Sequence, residues 1–293
     1  RTIWAFGDQL DRRVGALAQA RPDEARVLLV ESEALLSSTR HVQRLHLVVA
    51  SMRRFAVELR REGFEVDLRR STSLSAGLRA HVSEYRPAGV IATEPNSRSA
   101  RELCDSLAVE QVRSDQFLCH PDDFAGWASG RSRLRLEDFY RWQRSRLGYL
   151  MDGESPAGGR WNYDQDNREP PPDDPSIFGE PLRSPLDELD EAVLASLPAA
   201  RGDRPIGLWA TSRREALHRL DHFLDHGLVR FGRYEDAMTR RSWNLAHSML
   251  SPYLNLGLLR PGEVCDAVEA RYRAGEVPIN SAEGFVRQVI GWR

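Results

Sequence analysis

A chain of 293 residues, 41% hydrophobic and 29% charged, has ordinary globular composition and is long enough for two domains. Its formal net charge of −2 excludes a chain-wide electrostatic grip on nucleic acid, so any DNA contact must be a local patch. No apolar run approaches the ~20 residues that span a bilayer, and the start reads as a strand rather than a signal core, so a cytoplasmic protein is expected. All 41 basic residues are arginine, which makes arginine abundance weak evidence for phosphate binding even though each guanidinium is a bidentate fork. Cys104, Cys119 and Cys265 are odd in number and far apart without a CxxC pair, so neither a disulfide framework nor a metal site is expected.

In chain order, residues 3–6, 27–30, 64–68, 89–93 and 109–112 read as short strands. Between the second and third, Leu45, Val48, Val49, Met52, Phe55, Ala56 and Leu59 recur at helical spacing, with Gly63 as a C-terminal stop. Strands alternating with helices specify an α/β fold with a parallel sheet covered on both faces. Ligands of such sheets sit at the carboxyl ends of the strands, which marks Gly7, Asp8, Gln9 and Glu31.

From Pro121 the pattern turns helical, with an aromatic-rich amphipathic helix expected over 136–150. The Pro/Gly/Asp-rich stretch 151–185 cannot hold a regular helix and reads as an interdomain crossing. Helices are expected after it over 213–226, 234–240, 252–259, 261–274 and 281–293. The resulting division is an α/β domain over 1–130, a connector over 131–185 and a helical domain over 186–293. Ser251-Pro252 reads as a helix start, with a hydroxyl for orphan amides and proline at the first position, a natural anion site. His218, His222 and His226 share a helix face, but without a third-ligand motif they read as a solvated polar face. Arg131, Arg133, Arg135, Arg141, Arg144 and Arg146 read equally as a DNA-lining cluster or a solvated face.

Five segments in register resemble the photolyase and cryptochrome superfamily, most closely its bacterial iron–sulfur, (6-4) photolyase-like branch. They are Phe6-Gly7-Asp8-Gln9-Leu10, Met52-Arg53-Arg54-Phe55-Ala56, 158–164 (GGRWNYD), 247–257 (HSMLSPYLNLG) and 284–293 (GFVRQVIGWR). The resemblance implies a Rossmann-like N-terminal domain followed by an incomplete, all-helical FAD-binding domain. It implies that His247, Ser248, Met249, Leu250 and Ser251 form the turn on the FAD diphosphate, and that Tyr234 lies beside the phosphate–ribose arm. Gln288 and Arg293 match positions that face flavin or substrate, and Arg160 and Arg287 match DNA-side positions. Gln288 stands where many members carry Glu, so an acid contacting DNA is not carried over.

The implied activity is light-driven repair of pyrimidine photoproducts, (6-4) lesions first, by an electron from reduced FAD, acting on damaged DNA as a monomer. A blue-light photoreceptor without repair and a non-catalytic truncated homologue are the alternatives. The branch holds a ribityl lumazine antenna near Gly7, Asp8, Gln9 and Glu31, but Leu35 and Ser38 depart from the pattern, so weak or absent binding is expected. Members continue beyond the pair matching Trp292-Arg293, so the chain is expected to be a fragment. Its catalytic residues and its iron–sulfur cluster are expected only in a longer form, and the apolar face of 284–293 is expected to lie in water.

Overall fold

The computed structural model describes residues 1–37 and 40–293, and Ser38 lies outside the described residues. Two compact units divide the chain. The first comprises Arg1–Gln116, Arg183–Ala216 and Pro252–Leu258, and the second Phe117–Leu182, Leu217–Ser251 and Leu259–Arg293.

The first unit is built on five parallel strands, β1 (Thr2–Ala5), β2 (Arg26–Ser32), β3 (Glu65–Ser71), β4 (Val90–Thr93) and β5 (Glu110–Val112). Their order is β3-β2-β1-β4-β5, with Ile3 beside Val27 on one side and Ile91 on the other. Every residue of β1 is buried, and so is Val27-Leu28-Leu29-Val30, the continuous apolar run that a parallel sheet covered on both faces demands. Trp4, Phe6, Leu28, Val30, Leu78 and Cys104 form one core cluster. The five expected strands are therefore present, each within two or three residues of its expected ends.

The Val42–Arg61 helix buries Leu45, Val49, Met52, Phe55, Ala56 and Leu59, and Arg60 and Arg61 in its last turn suit the negative end of its dipole. Gly63 follows at φ 94°, a left-handed conformation that closes a helix without steric cost. Against this helix packs Glu188–Ser196, which joins Val193 to Leu36, Leu45, Val49 and Ala50 in a second cluster. Asp190 accepts from His46 at 3.1 Å, and Arg54 forks onto Asp187 at 2.8 and 2.9 Å and reaches Asp190 at 2.9 Å. Residues 183–216, which the sequence reading placed in the connector and helical domain, thus belong to the first unit because that is where their apolar and charged partners lie.

In the second unit, Leu136–Leu147 ends at Gly148, φ 80°, before the expected residue 150. The expected helix over 213–226 is interrupted: Arg213–His222 passes into a π-helical turn, Phe223–Gly227, then Leu228–Phe231. The expected helix over 234–240 is absent; only a 3₁₀ turn, Gly232–Tyr234, forms there. Pro261–Arg273 matches its expected helix to within one residue, and Ile279–Ile290 starts two residues before the expected 281 and ends three before 293. In the last helix Phe285 is 4% and Val289 5% exposed, so the apolar face expected in water is largely buried within the unit, and only Trp292, 66% exposed, fits that expectation.

Candidate functional site

Two groups of residues carry the candidate chemistry, one in each unit. In the first unit the strand order reverses between β1 and β4, and the loops after those strands flank the crevice where such sheets receive ligands. There Asn96 donates to Asp8 Oδ2 at 3.1 Å and to Gln116 Oε1 at 3.0 Å, Gln116 donates to the Asp8 carbonyl at 2.7 Å, and Gln9 donates to the Glu94 carbonyl at 2.7 Å. Burial pushes the Asp8 carboxyl above its ordinary range, opposed by Asn96. Gln9 Oε1 is buried without a hydrogen-bond partner among the described residues. A Cβ on Gly7 would meet Met52 Sδ at 2.9 Å, so two of the motif segments pack on each other at this point. Glu31 is held bidentately by Arg53 at 2.7 and 3.0 Å, which takes up the carboxylate that the sequence reading offered to a ligand.

The second group surrounds the Ile279–Ile290 helix. Glu283, fully buried, accepts from Tyr140 Oη at 2.7 Å and from the Tyr163 amide at 2.8 Å, and burial raises its pKa. Arg287 stands one helical turn on, with Nη1 at 3.1 Å from Asp164, Nη2 at 3.5 Å from Glu235 and Nε at 3.4 Å from Glu283. Arg168 and then Arg287 hold Asp164 below the usual carboxylate range. Arg287 is thereby committed to three carboxylates of its own unit rather than presented as an open fork for DNA phosphate. Arg160 is exposed, lies 4.2 Å over the Tyr163 ring and pairs with Asp166 at 2.5 Å. The buried Arg144 donates to four backbone carbonyls between 149 and 161, so it anchors the connector and does not line a surface.

The turn before the six-residue helix Ser251–Leu256 has unusual backbone. Leu245 and Met249 hold left-handed φ values of 45° and 56° without being glycine. Such conformations cost about 1 kcal/mol or more and persist where surrounding structure imposes them, often at ligand sites. Ser248 Oγ accepts the Leu250 amide at 3.3 Å, and Ser251, exposed, is itself the first helical residue. Between Asp236 and Glu263 the chain carries no acid, so nothing covalently near this turn repels an anion. His247 lies edge-on to Phe231 at 6.1 Å, and desolvation lowers its imidazole pKa against the opposing pull of Glu235. Tyr234 packs edge-on against Phe178 at 5.3 Å. Arg293 lies over Phe117 at 4.4 Å, and burial disfavours its charge. The donor set of hydroxyls, amides and a left-handed turn fits a diphosphate.

The His222 and His226 rings meet at 4.6 Å, inclined at 60°, and Asp225 beside them is taken by Arg271 at 2.6 Å. Among the described residues no group of three His, Cys, Asp or Glu is arranged to hold a metal ion. Three cysteines, of which Cys104 and Cys265 are buried, do not fit the four thiolates of an iron–sulfur cluster. No helix among the described residues is long and apolar enough to cross a membrane.

The fold is that of the photolyase and cryptochrome structures. A bacterial class III photolyase from Agrobacterium tumefaciens superposes with a TM-score of 0.58 at 18% identity, covering 100% of this chain and 57% of that one. A cryptochrome of Synechocystis gives 0.58 at 17% identity, covering 100% and 59%. In sequence, a (6-4) photolyase of Agrobacterium fabrum is 36% identical over 307 aligned residues, spanning 99% of this chain and 61% of the relative's length. The deoxyribodipyrimidine photo-lyase-related family model matches residues 3–207, and the chain belongs to that family.

Sequence reasoning missed Glu235, Glu283, Asp164 and Asn167. Asp164 closed the 158–164 motif and Glu235 stood next to Tyr234, but their partners lie 53 to 123 residues away and no local pattern announces them.

Proposed function

We propose that this chain binds FAD and serves light-driven repair of pyrimidine photoproducts in DNA, (6-4) lesions first, as a monomer in the cytoplasm. The observation that carries the reading is the 36% identity to a (6-4) photolyase along 99% of the chain. Bound and reduced, FAD supplies a photoexcited electron to the lesion. The turn His247 to Ser251, with Met249 and Leu250 in it, holds the diphosphate through the Ser248 and Ser251 hydroxyls, while the His247 and Leu250 amides brace the turn by donating to the Asn244 carbonyl and to Ser248 Oγ. Tyr234 flanks the phosphate–ribose arm, and Gln288 and Arg293 orient the ring and the substrate base. A lesion already weakened in its pairing is the least costly base to take out of the duplex, which gives selectivity. Arg160, exposed and stacked on Tyr163, is the better DNA contact, and Arg287 acts by holding the carboxylates around the helix. For the antenna, Glu31 is committed to Arg53, so ribityl lumazine is held weakly or not at all.

The test is an absorption spectrum of the purified protein followed by blue-light treatment of an oligonucleotide carrying one (6-4) lesion. Flavin bands and lesion loss that needs both light and reduced flavin are expected. Absence of flavin overturns the reading, and flavin without light-dependent lesion loss leaves a photoreceptor.

A further inference from the structure

Glu235 belongs to no motif that the proposed function uses, yet it joins three side chains. Its Oε1 accepts from Gln288 Nε2. Its Oε2 accepts from Asn167 Nδ2 at 3.0 Å and lies 3.5 Å from Arg287 Nη2. Asn167 is fixed in turn, donating to the Asn280 carbonyl at 3.2 Å and accepting from Asn280 Nδ2 at 3.0 Å. Gly284 makes room for this cluster, because a Cβ there would stand 2.7 Å from both Asn167 Nδ2 and Glu235 Oε2.

A primary amide has a donating end and an accepting end, whereas a carboxylate only accepts. The Gln288 amide therefore has one orientation open to it, NH₂ toward Glu235. Gln288 is half-buried, and its Oε1 has no protein hydrogen-bond partner among the described residues. A glutamine without Glu235 beside it would turn either end outward at little cost. With Glu235 it presents an acceptor.

We propose that Glu235 is a positioning residue that fixes the Gln288 amide so that the site offers a hydrogen-bond acceptor and selects a ligand carrying an imide N–H. The N3–H of the flavin ring and the N3–H of thymine or uracil share that chemistry, each flanked by two carbonyls. The inference rests on the flavin and lesion reading above and adds to it a polarity and a residue. One Nε2 hydrogen is spent on Glu235, and a ligand that sets a bare ring acceptor against Gln288 Oε1 is disfavoured, because two acceptors would face each other.

The experiment compares wild type, Glu235→Gln and Gln288→Met, all matched for helix content by circular dichroism. Glu235→Gln keeps shape but supplies both a donor and an acceptor, so it erases the direction; Gln288→Met keeps volume and removes both ends. Affinity is measured for FAD and for 3-methyl-FAD by flavin fluorescence. With FAD bound, it is measured for a (6-4)-lesion oligonucleotide and its N3-methylated counterpart by anisotropy. Wild type should disfavour the methylated form of one of the two partners by about tenfold or more, the worth of a hydrogen bond lost together with an acceptor left unpaired. Whichever partner shows it is the ligand of Gln288. Both variants should lose most of that discrimination, which a merely structural role of Glu235 would leave alone. Equal affinity for methylated and unmethylated forms of both partners in wild type overturns the proposal, as does discrimination retained in Glu235→Gln. Failure of the parent reading looks different: wild type then binds no FAD, or does not distinguish damaged from undamaged oligonucleotide, before methylation is considered.

Discussion

Replacing Arg144 by methionine should unfasten the connector of the second unit. The guanidinium is fully buried and donates to the carbonyls of Tyr149 at 3.2 Å, Leu150 at 2.6 Å, Arg160 at 3.4 Å and Trp161 at 2.8 Å. Methionine replaces the aliphatic stem as far as Nε and donates nothing. A buried acceptor stripped of its donor costs about 1–3 kcal/mol, but not all four count in full. Leu150 also accepts the Ala157 amide at 2.8 Å, and Arg160 is exposed enough for water to replace the lost donor. Removing a buried cation also recovers part of its desolvation penalty, so the expected loss is about 2–5 kcal/mol, set mainly by the Tyr149 and Trp161 carbonyls left without a donor. Arg144→Lys should recover only part, because an ammonium cannot fork onto carbonyls spread along the connector. With two units present a single global midpoint is a poor readout, so the assay is native-state hydrogen exchange on peptides covering 144–163 with urea unfolding beside it. A loss below ~1 kcal/mol with unchanged exchange would refute the claim that this arginine anchors the connector.

Four further outcomes are expected. Ser248→Ala with Ser251→Ala should lower flavin affinity about fivefold to thirtyfold, from about 1 kcal/mol per lost hydroxyl contact, with the fold retained; unchanged flavin content rules out the turn as the phosphate site. Gly77→Ala should destabilise the first unit by about 1–3 kcal/mol, because its Cβ would fall 2.6 Å from Val30 Cγ1; a neutral melt would show that the helix carrying it, Leu74–Tyr85, can shift aside. Fully buried His81 bridges Thr2 Oγ1 at 2.8 Å and Asp67 Oδ2 at 2.6 Å, and desolvation lowers its pKa below 6.5 despite Asp67. The unfolded chain then binds the proton more readily, so His81 contributes stability above that pH which is lost as pH falls through the folded value; His81→Gln should flatten the acid limb of a stability-against-pH curve for the first unit. Co-expression with a lumazine source should add no near-ultraviolet chromophore beyond flavin, and stoichiometric lumazine after purification would contradict the commitment of Glu31 to Arg53.

Much of the local architecture was written in the sequence. The run Val27-Leu28-Leu29-Val30 had to be a strand buried on both faces, and the stripe from Leu45 to Leu59 had to be a helix, since the periodicity of apolar residues is itself the pattern of burial. Five motifs in register pointed to the family that the comparisons then showed. What adjacency in sequence could not decide was partnership. Nothing local says that Glu188–Ser196 lies on the Val42–Arg61 helix, because Val193 finds Leu45 and Val49 only after the chain has travelled through the other unit. Nothing local forbids a helix over 234–240 either; there Glu235 is drawn to Asn167, Arg287 and Gln288, and those distant contacts accompany a turn in place of a helix. Glu31 and Arg287 read as groups available to a ligand, and only the tertiary structure shows them committed to Arg53 and to three carboxylates. Propensity and periodicity act over a few residues and so can be read along the chain, whereas charge pairing and the direction of an amide depend on groups that meet only when the chain has folded.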